Sequence, residues 1–176
     1  ENIIKIGDYA FRACTSLTSV TINNGVTEIG EVAFAYCSSL ISITIPNSVT
    51  SIKSHAFSSC TSLKSVIVPD SVTSIGRSAF AYCNKLESIT LPFVGSSLDG
   101  TTDNHFGYIF GASSYSQNDT EVPASLKNVV ITKAININKD AFRYCINLES
   151  ITIPKSVTNI GVDMFSGCNK LLNVIV

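Results

Sequence analysis

The sequence predicts a mostly β solenoid in which seven coils of about 23 residues stack along one axis. Three observations predict it. Cysteine stands at positions 14, 37, 60, 83, 145 and 168, phenylalanine at 11, 34, 57, 80, 142 and 165, and leucine at 17, 40, 63, 86, 148 and 171. Within each block the copies are 23 residues apart. A fixed period of this length marks a unit too short to bury its own apolar face, which it hides against neighbouring copies instead.

The elements of one copy follow in order. Ile6, Ile29, Ile52 and Ile75 close an extended segment, and in "PNSVTSI" that segment turns Val49 and Ile52 inward. The next motif, "AFAYC" at 33–37 and again at 79–83, places Phe and Cys three residues apart. That spacing fits one inward face of a single helical or irregular turn. The last motif, "LTSVTI" with its copies "LISITI", "LKSVIV", "LESITL", "LKNVVI", "LESITI" and "LLNVIV", is apolar at its first, fourth and sixth positions. Its alternating end predicts a strand of about four residues, paired in parallel with the next copy about 4.8 Å away.

Cys83 and Cys145 are 62 residues apart, which is two periods plus 16. Leu126, Val129 and Ile131 repeat the spacing of Leu17, Val20 and Ile22, so a fifth copy lies between them and carries an insertion within about 93–125. The expected organisation is one domain over 1–176. The chain begins and ends at the same phase of the repeat without a polar cap, which predicts a segment of a longer chain or neighbours that cover its ends. Self-association through those apolar ends is a further possibility.

Composition narrows the function classes. With 45% hydrophobic residues the chain is not disordered, and with a net charge of −1 it has no basic stripe for a phosphate backbone, so nucleic acid is not an expected partner. No apolar run approaches the roughly 18 residues of a spanning helix, so membrane insertion is not expected. No C-x-x-C pair offers a zinc site. Stacked cysteines also point the same way from neighbouring coils, which disfavours disulfides. The remaining reading is a reduced, buried ladder whose S–H groups serve backbone carbonyls.

Written as I-G-x-x-A-F-x-x-C-x-x-L-x-S-I-T-I-P-x-S-V-T, the repeat resembles the BspA-like branch of the leucine-rich repeat family. "IGEVAFAYCSSLISITIPNSVT" and "IGRSAFAYCNKLESITLP" carry the resemblance. It implies a curved, right-handed leucine-rich repeat solenoid on a bacterial protein that is secreted or displayed at the cell surface. It also implies adhesion to a host or bacterial surface protein or glycoprotein. The family pattern contains no catalytic residue. This sequence departs from it at "NNGVTE", which lacks the Pro, at Met164 in place of Ala, and in the interrupted fifth copy.

Two surfaces are candidates for contact. The outward strand positions, among them Thr21, Thr44, Thr90 and Thr152, form a ladder of small hydroxyls, which suits an extended partner but equally suits any exposed strand ribbon. The insertion holds Phe93, Phe106, Tyr108, Phe110 and Tyr115, five of the fifteen Phe and Tyr residues, together with His105. Aromatic loops that interrupt a repeat often carry binding. Phe106 or Phe110 has a second reading as a plug for the core of the fifth copy, which leaves Tyr108 and Tyr115 as the better contacts.

Other readings are weaker. Asp99, Asp103 and Asn104 could supply oxygen ligands to calcium, but their spacing does not match the alternating loop that ends in Glu. "NDT" at Asn118 has the pattern of a glycan acceptor. His55 stands at a variable position, held by Tyr9, Val32 and Ser78 in other copies, and should be solvated. No nucleophile elbow, phosphate loop or paired-carboxylate motif is present. Neither catalysis nor a cofactor is expected. A rigid spacer holding another domain is the structural alternative to binding.

Overall fold

A computed structural model describes residues 3–98 and 104–176. The strands in chain order are β1 (Lys5–Ile6), β2 (Ser19–Thr21), β3 (Glu28–Ile29), β4 (Ser42–Thr44), β5 (Ser51–Ile52), β6 (Ser65–Ile67), β7 (Ser74–Ile75), β8 (Ser88–Leu91), β9 (Asn128–Ile131), β10 (Ser150–Thr152) and β11 (Asn173–Ile175). They form a parallel-strand solenoid of about seven turns with little helix, as the repeat predicts. The main ribbon takes one strand per coil: β2 pairs with β4, and β6, β8, β9, β10 and β11 pair in succession. Between the two stretches, Lys64 N–H reaches Ile41 O at 3.5 Å.

Register follows the period. Ser19 sits opposite Ser42 and Ser65 opposite Ser88, while across the insertion Ser88 sits opposite Asn128. The ribbon therefore passes through the fifth copy without losing a strand. The extended "TSI" segments build a second ribbon, β1–β3–β5–β7, also parallel and in 23-residue register. In β4 and β6 the middle residue is buried between exposed neighbours, so the period-2 alternation sets which side chain enters the core.

The "AFxxC" segment is a string of β-turns rather than a single helical turn. In coil one Ala10 N–H donates to Gly7 O and Cys14 N–H to Phe11 O. The third residue of each turn is left-handed: Tyr9 at φ 61° and Ala13 at φ 60°, then Val32 and Tyr36, His55 and Ser59, Ser78 and Tyr82 in the coils that follow. A non-glycine residue there costs on the order of 1 kcal/mol or more. The neighbouring coil offsets that cost, because the N–H groups of Tyr9, Ala13, Val32, Tyr36, His55, Ser59 and Ser78 donate to its carbonyls, as Tyr9 to Glu31 and Tyr36 to Ser58.

The core is a set of ladders. Phe34, Cys37, Leu40 and Ile29 are fully buried, as are Phe57, Cys60 and Leu63 one coil on. Phe11, Phe34, Phe57 and Phe80 stack with centroids 5.0, 5.5 and 5.4 Å apart. Four of the thiols donate to the phenylalanine carbonyl of the preceding coil: Cys37 to Phe11, Cys60 to Phe34, Cys83 to Phe57 and Cys168 to Phe142, at 3.1 to 3.3 Å. All six cysteines are free. The reduced ladder read from the spacing is the one observed.

Candidate binding surfaces

The insertion begins beyond β8, where Phe93 and Val94 are buried. The chain then turns back on the second ribbon: Ile75 N–H donates to Ser96 O at 2.9 Å, and Ser97 bridges Ser74 in antiparallel sense. This covers the open edge of β7. Asp99 and Asp103 lie outside the described residues; Asn104 is within them. Among the described residues no group of three or more His, Cys, Asp or Glu is placed to hold a metal ion.

A 3-10 turn, Phe106–Phe110, supplies the fifth copy's share of the core. Phe80 N–H donates to Ile109 O at 2.9 Å, as Phe57 N–H donates to Ala79 O, and Phe106 N–H donates to Ala141 O at 2.8 Å on the other side. The Phe106 ring lies 4.9 Å from Phe142 and edge-on to Phe110 at 5.4 Å. Phe106 and Phe110 are each 1% exposed. They are corrected here from contact candidates to core: the interruption removes the regular Ala-Phe pair, and these two rings fill the space it leaves.

Gly111 ends the turn at φ 114°, a conformation that favours glycine. Arg77 Nη2 then donates to Gly111 O at 2.9 Å and to Ser113 Oγ at 2.5 Å, and Ser113 N–H donates to Gln117 Oε1. Asn118 locks the segment from below. Its Oδ1 accepts from Gly107 N–H at 3.0 Å, and its Nδ2 donates to Arg143 O at 2.8 Å. With its side chain buried and both ends engaged, Asn118 is not available as a glycan acceptor despite its "NDT" sequence. Sequence motif alone could not have shown this.

Tyr108 and Tyr115 are half-buried on this anchored segment, Tyr108 packed against the core. The His105 ring meets Tyr108 edge-on at 6.3 Å, and the Arg143 guanidinium lies 5.5 Å from the centre of Tyr115. Arg143 also stands 3.0 Å from Asp140 and 3.7 Å from Asp163, and the hydrogen bond it donates to the Asp140 carboxylate raises its already high pKa. The main-ribbon candidates are outward as expected, with Thr21 and Thr44 exposed and Thr90 and Thr152 partly so. Ile67 stands among them, 68% exposed. His55 is exposed, as its variable position suggests. The insertion and strand-face candidates belong to different faces, and no contact joins them into one site among the described residues.

Sequence reasoning missed a third surface. Tyr36 and Tyr82, 51% and 62% exposed, occupy the same left-handed turn position two coils apart, and Arg12 sits 5.5 Å over the Tyr36 ring. The signal was present in "AFAYC", whose fourth residue varies among the copies while Phe and Cys do not.

The solenoid, its two ribbons and its phenylalanine and thiol ladders define a leucine-rich repeat protein. Residues 1–108 and 121–176 match the model of the BspA type Leucine rich repeat region in six copies, and the chain belongs to that family. Its solved relatives include a leucine-rich repeat protein of T. pallidum at 26% identity and TM-score 0.54, covering 98% of this chain and 63% of that one. The pneumococcal vaccine antigen PcpA aligns at 22% identity and TM-score 0.61, over 92% of this chain and 41% of that one. A leucine-rich repeat protein of Eubacterium ventriosum aligns at 19% identity and TM-score 0.58, over 97% and 47%. The chain thus spans about two fifths to two thirds of the length of these relatives. No curated protein matches it.

Proposed function

We propose that this is a non-enzymatic repeat domain of a secreted or surface-displayed bacterial protein that binds a host or bacterial surface protein or glycoprotein. Family membership supports the display and the absence of catalysis. One observation carries the binding reading: Tyr108 and Tyr115 stand half-buried, still partly open to solvent, on a segment whose underside is fixed by Phe106, Phe110 and Asn118. A preorganised aromatic contact loses little side-chain freedom on association, and tyrosine is enriched at the centres of interfaces.

Removing the insertion would also remove core, so the test uses surface substitutions. The Tyr108→Ala/Tyr115→Ala double variant and the parent are compared on a panel of immobilised matrix glycoproteins after both show equal unfolding midpoints. Binding by the parent that falls about tenfold or more in the variant supports the reading. Equal binding moves recognition away from the insertion. Binding by neither favours the spacer, a second reading supported by the small Ser and Thr side chains that dominate the main ribbon, where hot-spot anchors such as Trp, Tyr and Arg are absent from the outward strand positions.

A further inference from the structure

The turn face of the first three coils holds a shallow cleft of about 240 Å³ between Tyr9, Arg12, Tyr36 and His55, with Ser58 and the buried Ala35 in its floor. We propose that this cleft binds a single carboxylate-bearing sugar ring, the acidic residue of a glycan. The proposal goes beyond the protein-binding reading, because it concerns a different face and does not involve the insertion.

Three features select that ligand. The first is charge: Arg12 lines the cleft, no Asp or Glu does, and among the described residues Arg12 takes part in no ion pair. A guanidinium presents a fork of N–H donors that matches a carboxylate in geometry and charge. The Tyr36 ring beneath it, 5.5 Å away, positions the cation without neutralising it. The second is surface: Tyr9 and Tyr36 are 57% and 51% exposed, and flat aromatic rings suit the C–H face of a pyranose. His55 and Ser58 add groups that can donate to or accept from sugar hydroxyls.

The third feature is what the backbone refuses. Tyr9, Ala13, Val32 and Tyr36 N–H already donate to Glu31, Ala35, Ser54 and Ser58 carbonyls, so an extended peptide finds no free row of these donors to pair with. The cleft also falls below the roughly 300 Å³ at which pockets begin to enclose larger ligands. A single sugar ring is a ligand of the size this cleft admits.

The test is an amide-resolved NMR titration with methyl β-glucuronide, methyl β-glucoside and sodium acetate. The two glycosides differ at the carboxylate, and acetate supplies that carboxylate alone. The expected result is a saturable shift of the Arg12, Tyr36 and His55 amides with the glucuronide in the millimolar range, and responses at least about tenfold weaker with the other two. Arg12→Gln should weaken the glucuronide about tenfold while leaving the melting temperature unchanged, and Tyr82→Ala, outside the cleft, should leave affinity unchanged. No saturable shift at tens of millimolar overturns the proposal. Equal responses to glucuronide and acetate overturn the sugar assignment in favour of a general anion site.

Discussion

Asn118 of the insertion donates its side-chain amide to the carbonyl of Arg143 at 2.8 Å, the register at which, in the uninterrupted coils, Ala81 O accepts from the Ser59 backbone N–H. A side chain thus replaces a backbone donor between coils. Asn118→Ala would leave Arg143 O and Gly107 N–H without these partners, and the expected loss is about 2 to 4 kcal/mol. Gly107→Ala should act on the same contact, because a Cβ there would stand 2.3 Å from Asn118 Oδ1. Urea unfolding of both variants measures this; losses under about half a kcal/mol would show the amide to be dispensable.

Phe106→Ala should cost about 3 to 5 kcal/mol, close to Phe57→Ala in a regular coil, since both rings are fully buried in the phenylalanine ladder. Tyr115→Ala should cost under about 1 kcal/mol, because its ring is only partly buried and its main partner is the Arg143 cation. Thermal unfolding of the three variants ranks them.

Leu63→Ala should lose about 2 to 5 kcal/mol and Thr44→Ala less than about half a kcal/mol, as truncation of a buried ladder residue and of an exposed hydroxyl. Denaturant midpoints at constant slope decide it. Equal losses would contradict the inward and outward assignments.

Burial pushes the interior thiols up, Cys83 to about 12, and Cys37, Cys60 and Cys145 are raised for the same reason. In the unfolded chain a thiol ionises near pH 8.5, so the folded state holds the proton more tightly. The stability this contributes is complete below about pH 8.5 and falls as pH rises toward the folded value, by about 1 to 2 kcal/mol per fully buried thiol at pH 10. Cys83→Ala should flatten that slope. Mass spectrometry after iodoacetamide at pH 8 should find Cys14, which is exposed, modified well before Cys60 and Cys83.

The period carried the fold. Phe, Cys and Leu recur at one spacing because identical coils stack in register, so the ladders, the main ribbon and the reduced cysteines were all legible before any coordinate. The left-handed turns were not, because Tyr, Val, His and Ser at the third turn position carry no glycine signal; the neighbouring coil's carbonyls hold them there. The insertion broke the period and with it the inference. Phe106 and Phe110 could be read as contact or as core, and only their neighbours Phe80, Ala141 and Phe142 decide for core. Asn118 resembled a modification site for the same reason: its partners, Gly107 eleven residues before it and Arg143 in the next coil, are not its sequence neighbours.

The core runs unbroken through the fifth coil, so the insertion is a scaffolded surface rather than a loose loop. Native-state hydrogen exchange at the Phe80, Phe106 and Gly107 amides tests it most directly. These three donate to Ile109 O, Ala141 O and Asn118 Oδ1, and the expected protection equals that of Phe34 and Phe57 in the regular coils, with opening only on global unfolding. Exchange of Phe106 and Gly107 at rates typical of exposed loops, while Phe34 and Phe57 stay protected, would contradict it.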